Sequence, residues 1–305
     1  MTLRRLREQT AALEMRARIL AAVRGFFSDR GFLEVETPVR IAAPALERYI
    51  EAEPSGEAYL RTSPELHMKR LVAAGLERIY QIGPCFRRGE RGRAHRPEYT
   101  MLEWYRMDAD YLDMLVDAKA LLARVFEEAC GGTTIRYRGR EIEIMPVWEC
   151  RTVAEVFRER AGWNPVAAFD ADRFDADLVT KIEPSLSPTR PTVLTDYPVQ
   201  AAALARRRAE PPHEVAERWE LYLGGLELAN AFSELTDPAE QRQRFEACAA
   251  ARAAEGRAVY PMDEAFLAAL EAGLPPCGGV ALGVDRLVML ATDSDGIEAV
   301  RPFDA

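Results

Sequence analysis

Apolar residues recur every three or four positions between Ala11 and Arg30, where Leu13, Ile19, Leu20, Val23, Phe26 and Phe27 form one stripe. That period predicts an amphipathic helix, and Gly31 is its natural stop. Phe32 to Glu36 alternates in the manner of a strand. Ser63-Pro64 sets up a helix start, and Leu66 to Ala74 follows as a helix closed by Gly75. Arg78 to Phe86 reads as a strand and Tyr99 to Tyr105 as its return partner, with a mobile Arg- and Gly-rich loop between them. Leu112 to Ala129 reads as a helix that stops at Gly131. Ile135 to Ile142 suggests a hairpin, and Thr152-Val153-Ala154-Glu155 has the capping-box pattern of a helix start. Asp237-Pro238-Ala239-Glu240 opens another helix, which should end near Gly256. Residues 132–190 carry the weakest pattern. Strands and helices follow one another in no regular βαβ order. This predicts an α+β fold: a mostly antiparallel sheet of six or seven strands flanked by helices.

Composition narrows the class. The chain has 305 residues, which fits one large domain or two ordinary ones. Hydrophobic residues make up 48% and charged residues 29%, as in ordinary soluble globular proteins. No apolar run is long enough to span a bilayer, and no signal-peptide core follows the basic start Met1 to Arg7. The five cysteines are scattered and lack metal-site spacing, so reduced thiols in a cytoplasm are expected. A net charge of −9 argues against a broad nucleic-acid surface. Two local basic clusters remain: Arg87 to Arg96, and Arg206-Arg207-Arg208, the latter read as a solvated helix face.

The candidate chemistry lies in three blocks. Phe86-Arg87-Arg88-Gly89-Glu90 through Pro97-Glu98-Tyr99-Thr100-Met101-Leu102-Glu103-Trp104-Tyr105 resembles motif 2 of class II aminoacyl-tRNA synthetases. Gly278-Gly279-Val280-Ala281-Leu282-Gly283-Val284-Asp285-Arg286-Leu287 resembles motif 3, and Gly31 to Pro38 resembles motif 1. The blocks are most similar to those of lysyl-tRNA synthetases. Across nearly its whole length the chain resembles the elongation factor P (R)-β-lysine ligases, paralogues of that catalytic core. Shared stretches include His213-Glu214-Val215-Ala216-Glu217-Arg218 and Glu227-Leu228-Ala229-Asn230. The resemblance implies a single catalytic domain over residues 1–305 without an anticodon-binding domain, and a homodimer with Pro38 at its interface. It implies ATP and Mg²⁺ as cofactors. The expected reaction activates (R)-β-lysine, or lysine, as an adenylate. Elongation factor P then accepts the acyl group on a lysine ε-amino group, and tRNA is not the expected acceptor.

Joining a carboxylate to the α-phosphate of ATP requires neutralised phosphates and aligned reactants. The resemblance assigns Arg87 to the α-phosphate, His95 to the outer phosphates and Tyr99 to a stack on adenine. Arg286 would cover the opposite adenine face, and Arg87 and Arg286 would be the catalytic pair. Glu220 and Glu227 are seven apart, and on paired strands they would face one site. They match the positions that hold ATP-bound magnesium, a hard cation suited to carboxylate oxygens. Glu103, Tyr105 and Glu234 match the contacts to the substrate ε-amino group. Glu65 matches the α-amino contact, Asn230 the carboxylate end, and Glu227 also borders the substrate. Two acids and a phenol specify a cation, which excludes aspartate. Ala229 stands where lysyl-tRNA synthetases have glycine and the ligases alanine; its methyl group is expected to crowd an α-amino group but admit a β-amino group. Two positions depart from the pattern. Gly89 replaces a family glutamate that Glu90 would supply one residue later, and Ala231 replaces a glycine. The competing readings are a minimal lysyl-tRNA synthetase, a non-catalytic regulatory paralogue and an ammonia-dependent asparagine synthetase.

Overall fold

The computed structural model describes residues 3–211 and 214–303, so His213 of the shared stretch lies outside the described residues. In chain order the strands are β1 (Leu33–Glu34), β2 (Arg40–Ile41), β3 (Pro54–Ser55), β4 (Ala58–Leu60), β5 (Arg78–Phe86), β6 (Glu98–Met107), β7 (Thr134–Tyr137), β8 (Arg140–Glu143), β9 (Glu149–Thr152), β10 (Thr192–Pro198), β11 (Val215–Leu223), β12 (Leu226–Ser233) and β13 (Cys277–Gly283). The helices are α1 (Leu3–Glu8), α2 (Thr10–Asp29), α3 (Glu65–Ala73), α4 (Tyr111–Cys130), α5 (Val153–Arg160), α6 (Ala171–Asp177), α7 (Pro238–Ala254), α8 (Glu264–Gly273) and α9 (Val284–Ala291).

Eight strands form the main sheet in the order β1-β5-β6-β13-β12-β11-β10-β9. The expected six or seven become eight because a short parallel strand joins each edge, β1 beside β5 and β9 beside β10. All other neighbours in this sheet are antiparallel. The α+β expectation therefore holds. β5 has the predicted bounds, and its partner β6 runs slightly longer than expected. The β11–β12 turn is Gly224-Gly225, both with left-handed φ (60° and 77°). A Cβ at Gly224 would also come within 2.8 Å of the Tyr137 ring, so no larger residue fits there.

The period of two along each strand divides the sheet into unlike faces. Leu102, Trp104, Trp219, Leu221, Val280 and Leu282 share one buried core with α2, α4 and α9. Each such buried side chain contributes about 1.5–3 kcal/mol. Phe27 stacks on Tyr80 at 4.5 Å and anchors α2 to the sheet. Leu13 was expected on that stripe but is exposed, because Ala12 and Ala22 complete the packed face instead. Asp110 caps α4 through the amides of Leu112 and Asp113 at 2.8 and 2.9 Å, and Gly131 ends it in the left-handed conformation. The opposite face of the sheet is polar at its centre and framed by α3, α7 and α8. The weakly patterned region folds as the β7–β8 hairpin, β9, α5 and α6. Phe157 and Phe174 close the far end of the sheet against Tyr197 and Tyr222. The triple arginine lies on extended chain, not a helix. Arg206 pairs with Glu217 at 2.8 Å and Arg208 with Asp196. Among the described residues, no helix is long and apolar enough to cross a membrane.

Candidate active site

A cleft of about 440 Å³ opens on the polar face, lined by Arg87, His95, Tyr99, Glu227, Asn230 and Arg286 among others. β5 and β6 hold its rim. They pair as far as Phe86 and Glu98, and Arg87 N donates to Pro97 O at 2.8 Å. The loop beyond is a folded turn, with Gly92 and His95 bonding each other's backbones at 3.2 and 3.4 Å. Gly89 sits at φ 79°, and Glu90 reaches to 3.8 Å from Arg87 Nη1. The carboxylate shifted by one residue thus still faces the arginine.

Arg286 lies in the first turn of α9. It donates to Glu227 O at 2.5 Å and to His95 Nε2 at 2.7 Å. Burial, then the Arg286 and Arg87 charges, push His95 down to about 4. His95 is therefore a neutral ring that accepts from Arg286. Tyr99 Oη donates to Thr62 O at 2.7 Å, and the Arg87 guanidinium lies 5.3 Å from the Tyr99 ring centroid. Buried Asp285 braces this corner. It binds Arg16 at 2.6 Å and the Thr100 amide at 2.7 Å, tying α9 to α2 and β6.

Glu220 and Glu227 do face one side. Glu220 stands opposite Asn230, and Glu227 opposite Tyr222. Their environments differ. Glu220 takes hydroxyls from Tyr197 and Tyr222 at 2.6 Å each and Arg218 at 2.5 Å. Burial raises its carboxyl, but Arg218 and the two phenols outweigh that and keep it ionised. Glu227 keeps a side chain 42% exposed at the cleft; burial and the Glu220 charge raise it. Glu183, from the weakly patterned region, is pushed up to about 7 by burial and then by Glu227 and Glu220. No group of three His, Cys, Asp or Glu with metal-holding geometry occurs among the described residues. The donor set fits magnesium that also takes phosphate oxygens, since that ion needs only one or two carboxylates. The like-charge strain on Glu227 is what a divalent cation relieves.

Deeper on the same face lies a carboxylate pocket. Glu103 Oε1 accepts the Tyr105 hydroxyl at 2.6 Å, and its Oε2 is buried without a hydrogen-bond partner. The sequence reading missed the pocket's cation. Lys69, wholly buried, lies 2.6 Å from Glu65 Oε1 and 2.5 Å from Glu234 Oε2. Glu65 and Glu234 therefore do not await a substrate alone; each already shares a resident ammonium. Burial raises Glu234 and Lys69 opposes it. Burial, with Glu65, pushes Glu103 up to about 8. Gly279 makes room here, since a Cβ on it would run into Glu234 and Tyr105.

Ala229 and Ala231 are both buried on β12. Ala229 pairs with Leu221 and Leu282, Ala231 with Trp219 and Val280, and all six belong to the core on the helix-packed face. Ala229 also borders the cleft, whereas Ala231 is not among the residues that line it. Ala281 lies on the polar face. It pairs with Glu103 on one side and Asn230 on the other, and it lines the cleft.

The family model for tRNA synthetases class II (D, K and N) matches residues 1–305. The chain belongs to this family. It is 42% identical to the lysine–tRNA ligase of Moorella thermoacetica over 94% of its own length and 64% of that relative's. It is 41% identical to the elongation factor P–(R)-β-lysine ligase of Proteus mirabilis, and 42% to that of Pectobacterium atrosepticum, over 96% of the chain and 94% of each relative. The chain spans 61–64% of the lysine–tRNA ligases it matches.

Some of the site residues that the sequence left unassigned carried signals of spacing. Lys69 is four after Glu65 on a helix, the interval that stacks side chains on one face. Arg218, Glu220 and Tyr222 alternate along β11, so one face presents all three. Glu183 had no such signal, because a single 3-10 turn beyond α6 delivers it.

The raised Glu103 carboxyl predicts a pH effect. A cationic ligand needs it ionised, so the KM for a lysine substrate should fall as pH rises from 6 through about 8. Glu103→Gln should flatten that slope and weaken lysine at every pH. Steady-state KM across pH 6–9 measures it; a flat wild-type profile would refute the assignment.

Proposed function

We propose that the chain activates lysine or (R)-β-lysine as an adenylate with ATP and Mg²⁺. It then passes the acyl group to a lysine ε-amino group of elongation factor P. The observation that carries the reading is the charge of the buried pocket. Glu65, Glu103 and Glu234 are three carboxylates against the single ammonium of Lys69. With all three ionised, two negative charges stay uncompensated, which matches an amino acid with two ammonium groups; its binding would draw the raised Glu103 and Glu234 carboxyls into that state. The side-chain carboxylate of an aspartate would meet Glu103 and Glu234 where a lysine side chain brings an ammonium, which weighs against the asparagine synthetase reading. Arg87 would hold the phosphate and the reacting carboxylate together. Arg286, with neutral His95, would set the outer phosphates. Glu227 and Glu220 would hold magnesium, which supplies charge neutralisation at the phosphates. The near full-length likeness to the two elongation factor P ligases supports the protein acceptor. A homodimer around Pro38 and a cytoplasmic setting belong to the same reading; a monomer in sedimentation at micromolar concentration would remove the dimer.

The test pairs two assays. ATP–pyrophosphate exchange should proceed with lysine isomers and not with aspartate. Mass spectrometry should find one added lysyl group on elongation factor P. Efficient tRNA charging with unmodified elongation factor P would instead favour the lysine–tRNA ligase reading. No exchange with any amino acid would favour a non-catalytic paralogue.

Ala281 gives the isomer question a residue. One methyl group in a pocket is worth roughly 1–3 kcal/mol of discrimination. Ala281→Gly should therefore shift the kcat/KM ratio between α-lysine and (R)-β-lysine by about 10- to 200-fold. Ala229→Gly and Ala231→Gly should leave the ratio alone and lower stability only. A ratio that moves with Ala229 but not with Ala281 would overturn the assignment.

A further inference from the structure

A second cavity, of about 610 Å³, opens beside the cleft between the loop around Glu47, helix α6 and helix α7. Its walls include the apolar Leu46, Phe174, Leu178 and Phe245, and its inner end is Arg218 with Glu220. Three arginines line it, and each is neutralised in place. Arg48 pairs with Glu255 at 2.6 Å, Arg218 with Glu220 at 2.5 Å and Arg244 with Glu240 at 2.6 Å. Two carboxylates in its wall, Glu47 and Asp175, make no ion pair among the described residues. The result is an apolar passage with spare negative charge, the complement of an alkylammonium. Methylenes would lie on the apolar walls and the charged head would meet the carboxylates.

Glu220 in the wall of this passage stands opposite Asn230 in the wall of the cleft, so the two adjoin across β11 and β12, with Glu47 in the passage wall. The electrostatic neighbours of Glu47 are Arg87, Glu65, Arg218 and Glu90, so the phosphate arginine and the substrate pocket both adjoin it. Its backbone is pinned. Buried Arg252 donates to the carbonyls of Glu47, Arg48 and Ile50 at 2.6, 3.1 and 2.9 Å. Arg88 N donates to Glu51 O at 2.7 Å and ties the same loop to the cleft rim. The Glu47 carboxylate itself makes no hydrogen bond to another described residue.

We propose that this cavity admits the primary amine of the acyl acceptor and that Glu47 takes the proton from it. The inference rests on the reading of the chain as a lysine-activating enzyme and adds the site of the second step. The acceptor ammonium gives one proton to the Glu47 carboxylate. The freed nitrogen pair attacks the acyl carbon of the adenylate. A C–N bond forms, the C–O bond to phosphate breaks, and AMP leaves with that electron pair. The second nitrogen proton departs with the AMP phosphate. Burial lifts the Glu47 carboxyl to about 7, against Arg87 and with Glu65, which suits a base working near neutral pH.

The experiment separates the two half-reactions in the full chain. Wild type, Glu47→Gln and Ala247→Trp, which puts an indole into the mouth of the cavity, are compared in pyrophosphate exchange with lysine. Single-turnover transfer from preformed adenylate is then followed to elongation factor P and to n-butylamine. Glu47→Gln should keep exchange within about threefold and slow transfer to both acceptors by about 10²–10⁴-fold. Ala247→Trp should keep exchange and slow transfer at least tenfold. Wild-type transfer to n-butylamine but not to elongation factor P would retain the channel and reject the protein acceptor. Equal transfer rates in wild type and both variants would overturn the channel while leaving lysine activation intact. Absence of exchange in wild type would overturn both.

Discussion

Arg87→Ala should slow adenylate formation by about 10²–10³-fold while the fold stays intact, because in the proposed reaction it removes a preorganised charge from the position where phosphate charge would develop. The structure makes this substitution clean. Arg87 Nε is buried without a hydrogen-bond partner, and the side chain's carboxylate contact, to Glu90, is 3.8 Å long. Little of the fold depends on it. Arg286→Ala should also abolish activity, but it would release Glu227 and His95 as well, so its loss mixes charge with loop geometry. Pyrophosphate exchange and thermal melting, run together on Arg87→Ala, separate chemistry from folding. Near-normal exchange would mean the phosphate lies elsewhere. A collapsed melting transition would mean that Arg87 is structural.

Lys69→Met should weaken both the fold and lysine binding, and the loss should grow with pH. Lys69 is wholly buried between Glu65 and Glu234, with Glu103 close by. Removing one partner of a buried ion pair costs about 3–5 kcal/mol, because the remaining charge has no counter-charge. The sign follows from linkage. Burial already holds the Glu234 carboxyl above the ordinary carboxylate range against the pull of Lys69, so without the ammonium it rises further. Such carboxylates cost little while protonated and destabilise increasingly as pH rises through their folded pKa. The melting temperature should therefore fall more at pH 8 than at pH 5.5, and added lysine should restore part of it by supplying the missing cation. The same drop at both pH values, unmoved by lysine, would show that Lys69 only fills space.

Much of this molecule is written in local pattern. The bounds of β5, the cap of α5 at Thr152 and the glycine stops at Gly31 and Gly131 follow from periodicity and capping chemistry alone. The residues of the cleft were also legible, since Arg87, His95, Tyr99, Glu227, Asn230 and Arg286 carry a motif and meet around one cavity. The tertiary structure decided which way each alanine's methyl group turns. Read as plain alternation, Glu227, Ala229 and Ala231 share a face. The β11–β12 register shifts between Leu221 and Tyr222, so Glu227 pairs with Tyr222 while Ala229 pairs with Leu221. That extra residue turns both alanines into the helix-packed core and leaves Asn230 and Ala281 facing the site. Pocket charge was likewise invisible along the chain, because Lys69, Glu103 and Glu234 come from α3, β6 and the residue after β12. Only the packing of that helix onto the sheet puts an ammonium between two carboxylates. Local sequence fixes which way a backbone turns. Register and packing between distant segments fix which side chains share a buried charge.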